Sequence, residues 1–160
     1  MKKYDKIIFV SMNNTIRGPM AELLMKKVTK HKELEIISRG LVVLFSEPCN
    51  PKAVAVLRNR GIILDNRTSM QLSKEELTEK TLVLTVGRKE KEVIIEEYDP
   101  ENVYTLIEFA GDTGEITDPY GKEMESYKIC ADELEYWLLK VEEKLSQIEE
   151  EEEENDSDSM

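Results

Sequence analysis

The sequence predicts an α/β fold, a three-layer sandwich built on a four-stranded parallel sheet. Short, continuous apolar runs, which are typical of strands buried on both faces, alternate along the chain with segments of helical periodicity. This alternation of strand and helix is the order that produces a parallel sheet. With 160 residues, of which 40% are hydrophobic, the chain is long enough for one domain with its own core.

Two strands and two helices are predicted in the first half of the chain. Residues 6–10 (KIIFV) form a continuous apolar strand. A helix over 19–30 follows, because its apolar residues recur at i, i+3, i+4 and i+8. Residues 34–38 (LEIIS) form the second strand. A second helix begins with the Asn-Pro pair at 50–51, where proline suits the first turn, and a glycine at 61 closes it.

Two strands and three helices are predicted in the second half. The SKEE sequence at 73–76 is a capping box that begins a short helix. Residues 81–86 (TLVLTV) form the third strand, and a helix over 89–98 ends at an Asp-Pro pair. Residues 102–109 (NVYTLIEF) form the fourth strand. A long helix over 124–148 carries one continuous apolar face.

The charge is distributed unevenly along the chain. The net charge is −12, and a run of acidic residues, IEEEEEENDSDSM, begins at Ile148. A run of like charges without apolar partners is typical of a solvated, disordered segment. We therefore predict one domain over 1–148 and a disordered acidic tail over 149–160. A basic partner for this tail is conceivable, but the sequence does not identify one.

Several classes of partner and site are disfavoured. The sequence has no basic patch for a nucleic acid and no apolar run near the ~18–20 residues of a membrane span. The N-terminal apolar run is too short for a signal peptide, which predicts a cytoplasmic protein. Cys49 and Cys130 are too few for a disulfide framework, and Cys130 fits the core face of the last helix. His31 is expected at the surface, and neither a metal nor a cofactor is predicted.

The loop at 11–18 is the strongest candidate for a binding site. Ser11 ends the first strand and Pro19 opens a helix, so the amides between them lack strand partners and lie at the positive end of that helix. Asn13 and Asn14 tolerate the left-handed conformation that a tight loop needs. Arg17 can add a bidentate grip on an anion. These features favour an anion site, although an ordinary strand-to-helix turn explains them equally well.

A second polar segment, residues 111–121, follows the fourth predicted strand. The carboxyl ends of parallel strands lie at the same edge of the sheet, and ligands bind beyond that edge. We therefore expect residues 111–121 to meet the loop at 11–18.

The full loop sequence resembles that of the low-molecular-weight protein-tyrosine-phosphatase family, which reads Cys, five residues, Arg, Ser or Thr, and Pro. Here it reads SMNNTIRGP, followed by the family-like MAE. Further segments look like the family's: SRG at 38–40, PCNPKAVAVLRNRGI at 48–62 and ITDPYG at 116–121. The resemblance covers residues 6 to about 145. It implies the same fold, a phosphate-binding loop after the first strand, and a protein phosphatase that acts without a cofactor on phosphorylated protein.

The resemblance implies catalytic and phosphate-binding roles. Ser11 occupies the nucleophile position, Arg17 would hold phosphate, and Asp118 would protonate the leaving group. The alternative for Asp118 is a plain turn, since Asp-Pro-Tyr-Gly is good turn chemistry. The residues that would line the phosphate with their backbone are Met12, Asn13, Asn14, Thr15, Ile16 and Arg17.

The resemblance also implies supporting roles. Asn14, held by Ser38, would keep the shape of the loop, and Tyr120 would form part of the wall beside the substrate. Thr15 resembles the bacterial protein-arginine-phosphatase-like branch, where a smaller polar wall suits a guanidinium. A structural role for Thr15 is equally compatible with the sequence, so phosphotyrosine and phosphoarginine both stay open.

The chain departs from the family pattern where the chemistry is carried. Ser11 replaces the cysteine, and Gly18 replaces the hydroxyl that supports the thiolate; Asn13, Ile16 and Arg67 also differ from the family. A thiol has a pKa of about 8.5, whereas the pKa of an alcohol is far higher and close to that of water. Serine nucleophiles rely on a neighbouring base, and no candidate base is visible. Departures at several positions favour natural divergence over one engineered substitution.

Three functions follow as hypotheses. The first is a pseudophosphatase, which binds phosphate or phosphoprotein groups at the loop with weak or no hydrolysis. The second is an active phosphatase for phosphotyrosine or phosphoarginine, which uses Ser11 or a water with Asp118 as the acid and base. The third is a non-catalytic interaction protein in which the surface or the acidic tail matters more than the loop.

Overall fold

The computed structural model of the protein describes residues 3–64 and 66–158. Four parallel strands form one sheet in the order β2-β1-β3-β4. In the centre of the sheet, Ile8 of β1 lies between Ile37 of β2 and Val83 of β3. The strands are β1 (Lys6–Ser11), β2 (Glu35–Gly40), β3 (Thr81–Thr85) and β4 (Val103–Thr105). The predicted four-stranded parallel sheet is confirmed.

In the described part of the chain, five α-helices surround the sheet. They are α1 (Arg17–Val28), α2 (Pro51–Arg58), α3 (Arg88–Tyr98), α4 (Leu106–Phe109) and α5 (Met124–Asp158). One 3₁₀ turn, Lys74–Glu76, begins with the predicted capping box, in which Ser73 and Glu76 bond each other's backbone. In the part of the chain that the structure describes, no helix combines the length and the apolar character that crossing a membrane requires.

The side chains of the sheet separate into two cores, which makes the domain a three-layer sandwich. On one face Ile7 and Phe9 pack with the buried residues of α1, α2 and α5. On the other face Ile8 and Val10 pack with Ile94 of α3. This alternation follows from the two-residue period of a strand. Because both faces are covered, β1 is buried from Ile7 to Ser11, as its continuous apolar sequence predicts.

The fourth strand is shorter than predicted. It ends at Thr105, and the residues expected to continue it form α4. Thr105 and Glu108 make a capping box: the amide of Glu108 donates to the Thr105 hydroxyl at 3.0 Å, and the amide of Thr105 donates to the Glu108 carboxylate at 2.8 Å. These bonds satisfy amides that would otherwise be orphaned at a helix start, so the chain turns into a helix here. The prediction of a strand over 102–109 is wrong in its second half.

Helix α5 also differs from its prediction, because it continues through the acidic run to Asp158. Residues 149–158, expected as part of a disordered tail, are helical; Ser159 and Met160 lie outside the described residues. Glutamate has a high intrinsic helix propensity, and the run extends a helix already fixed by packing. Glu149 also anchors it, because one carboxylate oxygen lies 2.7 Å from Nδ1 of His31. His31 is therefore packed against α5, and its side chain is only 14% exposed, contrary to the surface position expected.

Candidate functional site

The loop at 11–18 joins the carboxyl end of β1 to the first turn of α1. Its carbonyls are bonded to neighbouring segments: Met12 O accepts from the amides of Leu41 and Val42, each at 2.9 Å, and Thr15 O accepts from the amide of Asn50 at 2.9 Å. The carbonyls of Met12 and Thr15 are therefore occupied by protein donors. The loop is thus fixed from outside, by the segments after β2 and before α2.

The inner amides of this loop are available to a ligand. Among the described residues, the amides of Asn13, Thr15, Ile16 and Arg17 have no protein acceptor, while the amide of Asn14 donates to Ser11 Oγ at 3.2 Å. Convergent free amides at a helix N-terminus form an anion-binding concavity. The arrangement can therefore hold a group the size of phosphate.

Asn14 gives the loop its curvature. Its φ is 60°, a left-handed conformation that asparagine tolerates better than most residues, and this matches the prediction for Asn14 but not that for Asn13. The side-chain amide donates to Ser38 Oγ at 3.0 Å, and Oδ1 accepts from the amide of Met70 at 3.0 Å. The contact with Ser38 is the one that the family resemblance implies, whereas the contact with Met70 has no signal in the sequence.

Arg17 lies beside the loop opening, where it contacts the segment at 111–121. Its Nη1 donates to the carbonyl of Ile116 at 2.8 Å, and its Nη2 lies 3.6 Å from Asp118 Oδ2. The predicted meeting of the two polar segments at one edge of the sheet is confirmed. Nη2 also lies 3.8 Å from Glu90 of α3, a buried carboxylate that the sequence analysis did not identify.

Ser11 is buried at the base of the loop, and it fills the space beside Gly18. A Cβ atom added to Gly18 would lie 2.8 Å from Ser11 Oγ and 3.4 Å from Asn14 Nδ2. The first distance is shorter than contacts that real Cβ atoms make. The Ser11 hydroxyl can therefore keep this orientation because residue 18 has no side chain.

The structure places no base beside Ser11 among the groups that the residues 3–64 and 66–158 supply. His31 follows the far end of α1, a helix of 12 residues, which spans about 18 Å. The carboxylate of Asp118 faces Arg17, and its side chain is 55% exposed. An alcohol without a neighbouring base is a poor nucleophile.

Of the remaining predicted residues, Asp118 and Tyr120 are exposed, whereas Thr15 and Ile16 are buried. Asp118 Oδ1 accepts from the amide of Tyr120 at 3.1 Å, which is the geometry of a local turn. Tyr120 is 70% exposed. Thr15 is buried and donates to the side chain of Asn13 at 3.1 Å, and Ile16 is also buried.

A buried acid behind the loop, Glu22 of α1, was missed by the sequence analysis. Glu22 Oε1 accepts from Ser38 Oγ at 2.9 Å, which links this carboxylate through Ser38 to Asn14. Glu22 Oε2 bonds Lys26 at 2.8 Å and also pairs with Arg67. Burial alone would raise the pKa of Glu22, but the hydrogen bonds from Arg67 and Lys26 hold it below its usual range. The sequence around Glu22 has no periodic pattern that would identify this acidic residue as buried.

We expect Glu22→Gln to destabilise the protein by about 2 kcal/mol at pH 7, because it removes the charge that Arg67 and Lys26 satisfy. Since the folded-state pKa is lowered, the carboxylate contributes stability above its unfolded pKa and loses it as the pH falls. The difference between the two proteins should therefore shrink below about pH 4. Urea unfolding at several pH values measures it, and an undiminished difference at acidic pH would contradict this account.

One group of side chains could hold a cation, at a distance from the loop. The ligand atoms of His31, Glu33 and Glu149 all lie within 4.8 Å of one another. This group lies at the far end of α1, where His31 already bonds Glu149. It takes no part in the loop at 11–18, whose groups are suited to an anion.

Comparison with known proteins agrees with this geometry. A family model described as low molecular weight phosphotyrosine protein phosphatase matches residues 6–153. The chain is 35% identical over 141 residues to a protein-arginine-phosphatase of Bacillus subtilis, which covers 84% of this chain and 93% of the relative. It is 28% identical over 137 residues to the low molecular weight protein-tyrosine-phosphatase PtpB of Staphylococcus haemolyticus, covering 85% of this chain and 96% of that protein.

Two solved structures show the same fold. One is a crystal structure of a YwlE mutant from Bacillus subtilis, with a TM-score of 0.82, 32% identity, and coverage of 88% of this chain and 98% of that chain. The other is a cysteine-to-serine mutant of YwlE arginine phosphatase with a phosphorylated active site serine; its TM-score is also 0.82, at 32% identity, and 88% of this chain and 95% of that chain are covered.

Proposed function

Because this chain belongs to the low molecular weight phosphotyrosine protein phosphatase family, we propose that it binds phosphorylated groups of proteins at the loop 11–18 and hydrolyses them weakly or not at all. The observation that carries the proposal is the pairing of a complete anion site with an incomplete nucleophile. The free amides and Arg17 supply the binding groups. Ser11 supplies a neutral hydroxyl, bonded to the amide of Asn14, in place of a thiolate.

Binding and turnover place different demands on the loop. Amides at a helix N-terminus and a guanidinium attract a phosphate dianion whatever occupies the nucleophile position. A neutral hydroxyl even removes the repulsion that a thiolate would exert. Turnover requires Ser11 to act as a leaving group in the second step. An alkoxide, whose parent alcohol is nearly as weak an acid as water, leaves far less readily than a thiolate, whose parent thiol has a pKa of about 8.5.

The first step places a smaller demand on Ser11. Phosphoryl transfer passes through a loose transition state, so the attacking oxygen need not be ionised beforehand. The bond from phosphorus to the substrate would break, and the bond from phosphorus to Ser11 Oγ would form. The hydroxyl proton would pass to a phosphoryl oxygen and from there to the leaving group. The phosphorylated serine in the mutant arginine phosphatase supports this possibility for that protein. In this chain we propose that such a phosphoserine, once formed, is released slowly.

A titration and a turnover assay test the proposal together. Inorganic phosphate should shift the amide NMR signals of residues 12–17, while hydrolysis of an aryl phosphate and of a phosphoarginine peptide should stay near background. Intact mass should show at most one added phosphoryl group per chain, and Ser11→Ala should abolish it. Rapid hydrolysis that survives Ser11→Ala would overturn the nucleophile argument, and the absence of any amide shift would overturn the binding site.

The second candidate is an active phosphatase, and the contact between Arg17 and Asp118 favours it. Asp118 Oδ2 lies 3.6 Å from Arg17 Nη2, so a carboxyl group that could give or take a proton is beside the phosphate position. Under this candidate, multiple turnovers per chain occur and depend on Asp118. Under the main proposal, turnover stops at one phosphoryl group or does not begin.

Asp118→Asn should leave phosphate binding nearly unchanged, within about threefold. The asparagine keeps an acceptor for the amide of Tyr120 and removes a negative charge from the vicinity of Arg17, which slightly favours an anion. The same NMR titration measures the change. A loss of binding of tenfold or more would mean that Asp118 holds the loop in shape, in which case its assignment as a proton donor would need revision.

A further inference from the structure

A cavity of about 260 Å³ lies against the loop 11–18. Neither Ser11 nor Arg17 lines it, so it is separate from the anion site of the loop. Asn14, Ser38 and Glu22 form part of its wall, and two arginines, Arg39 and Arg67, also line it. The cavity therefore shares Asn14 with the loop but has its own positive groups. Such a volume accommodates a small organic molecule or a hydrated ion.

Positive charge exceeds negative charge around Glu22 in the wall of this cavity. Glu22 is the shared partner of two cations, Arg67 and Lys26, and both of its oxygens are engaged. Its side chain is only 2% exposed, so the carboxylate turns little of its surface towards a ligand. Arg67, by contrast, remains 35% exposed. Glu22, Arg67 and Lys26 together therefore carry one net positive charge.

Arg39 supplies a second guanidinium to the same wall. Its Nε donates to Glu76 at 2.8 Å and its Nη1 donates to the carbonyl of Ser38 at 2.8 Å, which leaves Nη2 without a protein acceptor among the described residues. Ser38 connects the two arginines, since its carbonyl bonds Arg39 and its hydroxyl bonds Glu22, the partner of Arg67. Planar guanidinium groups with free N–H bonds are well suited to carboxylate and phosphate oxygens.

We propose that this cavity is a second oxyanion site, which takes a small phosphate- or carboxylate-bearing ligand between Arg39 and Arg67. Cys49, on the same wall, presents little repulsion: burial raises the pKa of its thiol, so the group stays neutral at physiological pH. The site is independent of Ser11 and goes beyond the proposed function of the loop.

Occupancy of the cavity is transmitted to the loop through Asn14. Ser38 Oγ lies between Glu22 and the side-chain amide of Asn14, so a ligand that draws Arg67 or Arg39 away from this chain of bonds changes how firmly Asn14 is held. Coupling between two sites is reciprocal. An anion in the cavity and an anion in the loop therefore alter each other's affinity by the same factor.

Sulfate and acetate titrations of the whole chain, followed by amide NMR at constant ionic strength, test the proposal. Two groups of signals are compared: residues 12–17 report the loop, and residues 66–70 with the side-chain amide of Asn14 report the cavity. We expect two saturable events. In Arg17→Gln the loop response should weaken at least about tenfold while the cavity response persists, and Arg67→Gln should show the reverse.

The variants are chosen so that a failure to fold does not hide the result. Arg39→Gln removes the second guanidinium without touching Glu22, and it should weaken the cavity response about tenfold as well. Arg60→Gln is the matched control, because it makes the same change at an arginine that pairs with Asp132 and Glu135 of α5, away from the cavity; it should change neither response.

The outcomes separate the two sites. Two results would overturn the second site and leave the loop proposal standing. In the first, the NMR signals of the cavity never shift. In the second, they shift only together with the loop signals and no longer shift in Arg17→Gln. A cavity response without a loop response would overturn the loop proposal alone. The two anions distinguish the ligand source, since a response to sulfate but not acetate indicates a phosphate group, and the opposite result indicates a carboxylate.

Discussion

Replacement of Arg17 by alanine is expected to remove most of the anion affinity of the loop, at a cost of about 2–5 kcal/mol, or roughly 30-fold or more in the dissociation constant for phosphate. Among residues 3–64 and 66–158, Arg17 is the one cation that the structure places beside the free amides. Its side chain is only 13% exposed, so its charge is not strongly screened. Calorimetric or NMR titration with inorganic phosphate measures the loss.

The change also affects two carboxylates. Glu90 and Asp118 lie 3.8 Å and 3.6 Å from Arg17, and alanine leaves both without this partner. Their uncompensated charge repels phosphate further, so the loss should exceed that of a single hydrogen bond. Arg17→Lys is the control, because it keeps the charge but cannot bind in the bidentate manner, and it should retain part of the affinity. Full affinity in Arg17→Ala would mean that the amides alone hold the anion.

Restoring the family's two chemical groups together, Ser11→Cys with Gly18→Ser, is expected to raise hydrolysis of an aryl phosphate by a factor on the order of 10³ or more. A thiol at the end of β1, beside free amides and a helix N-terminus, ionises far more readily than an alcohol. The hydroxyl at 18 would stabilise the thiolate. Steady-state turnover with the unmodified chain as reference measures the gain.

The side chains at 11 and 18 share the same space, so in the double variant the side chain at 11 must turn as well, and the gain expected of the pair comes from its chemistry. A Cβ atom at 18 would lie 2.8 Å from the present Ser11 Oγ, so Gly18→Ser alone forces the serine hydroxyl to turn. We therefore expect Gly18→Ser alone to gain no activity, and Ser11→Cys alone to gain less than the pair. If the double variant binds phosphate as the unmodified chain does but stays inactive, the block lies in proton transfer rather than in the nucleophile.

The general architecture was predictable because its signals are local. Continuous apolar runs mark buried strands, and i, i+3, i+4 spacing marks the helices that cover them. The error at the end of β4 has the same origin: Thr105 and Glu108 form a capping box inside an apolar run, and apolarity alone does not distinguish a strand from a short buried helix. The contact of Glu149 in α5 with His31 joins residues that are distant in sequence, so no local pattern announces it.

At the site, the sequence located the loop and the segment that meets it, but not the residues that hold them. The backbone position of Arg17 follows from its place at the start of α1, whereas its neighbour Glu90 comes from a different strand–helix unit. The same is true of Glu22, which is buried because Ser38 and Arg67 meet it from two other segments. Contacts of this kind arise from tertiary packing and leave no periodic trace in the chain.

The fixation of Asn14 has an evolutionary consequence. Its left-handed backbone is held by Ser38 on one side and by the amide of Met70 on the other, and neither bond involves the side chains at 11 or 18. The side-chain bonds that hold Asn14 are thus made by residues other than those at 11 and 18, and Ser11 contributes only the bond that its Oγ accepts from the Asn14 amide. During evolution the residue at the nucleophile position can therefore change while the loop keeps its conformation. Selection can then act on the binding of a ligand by the loop, separately from its catalysis.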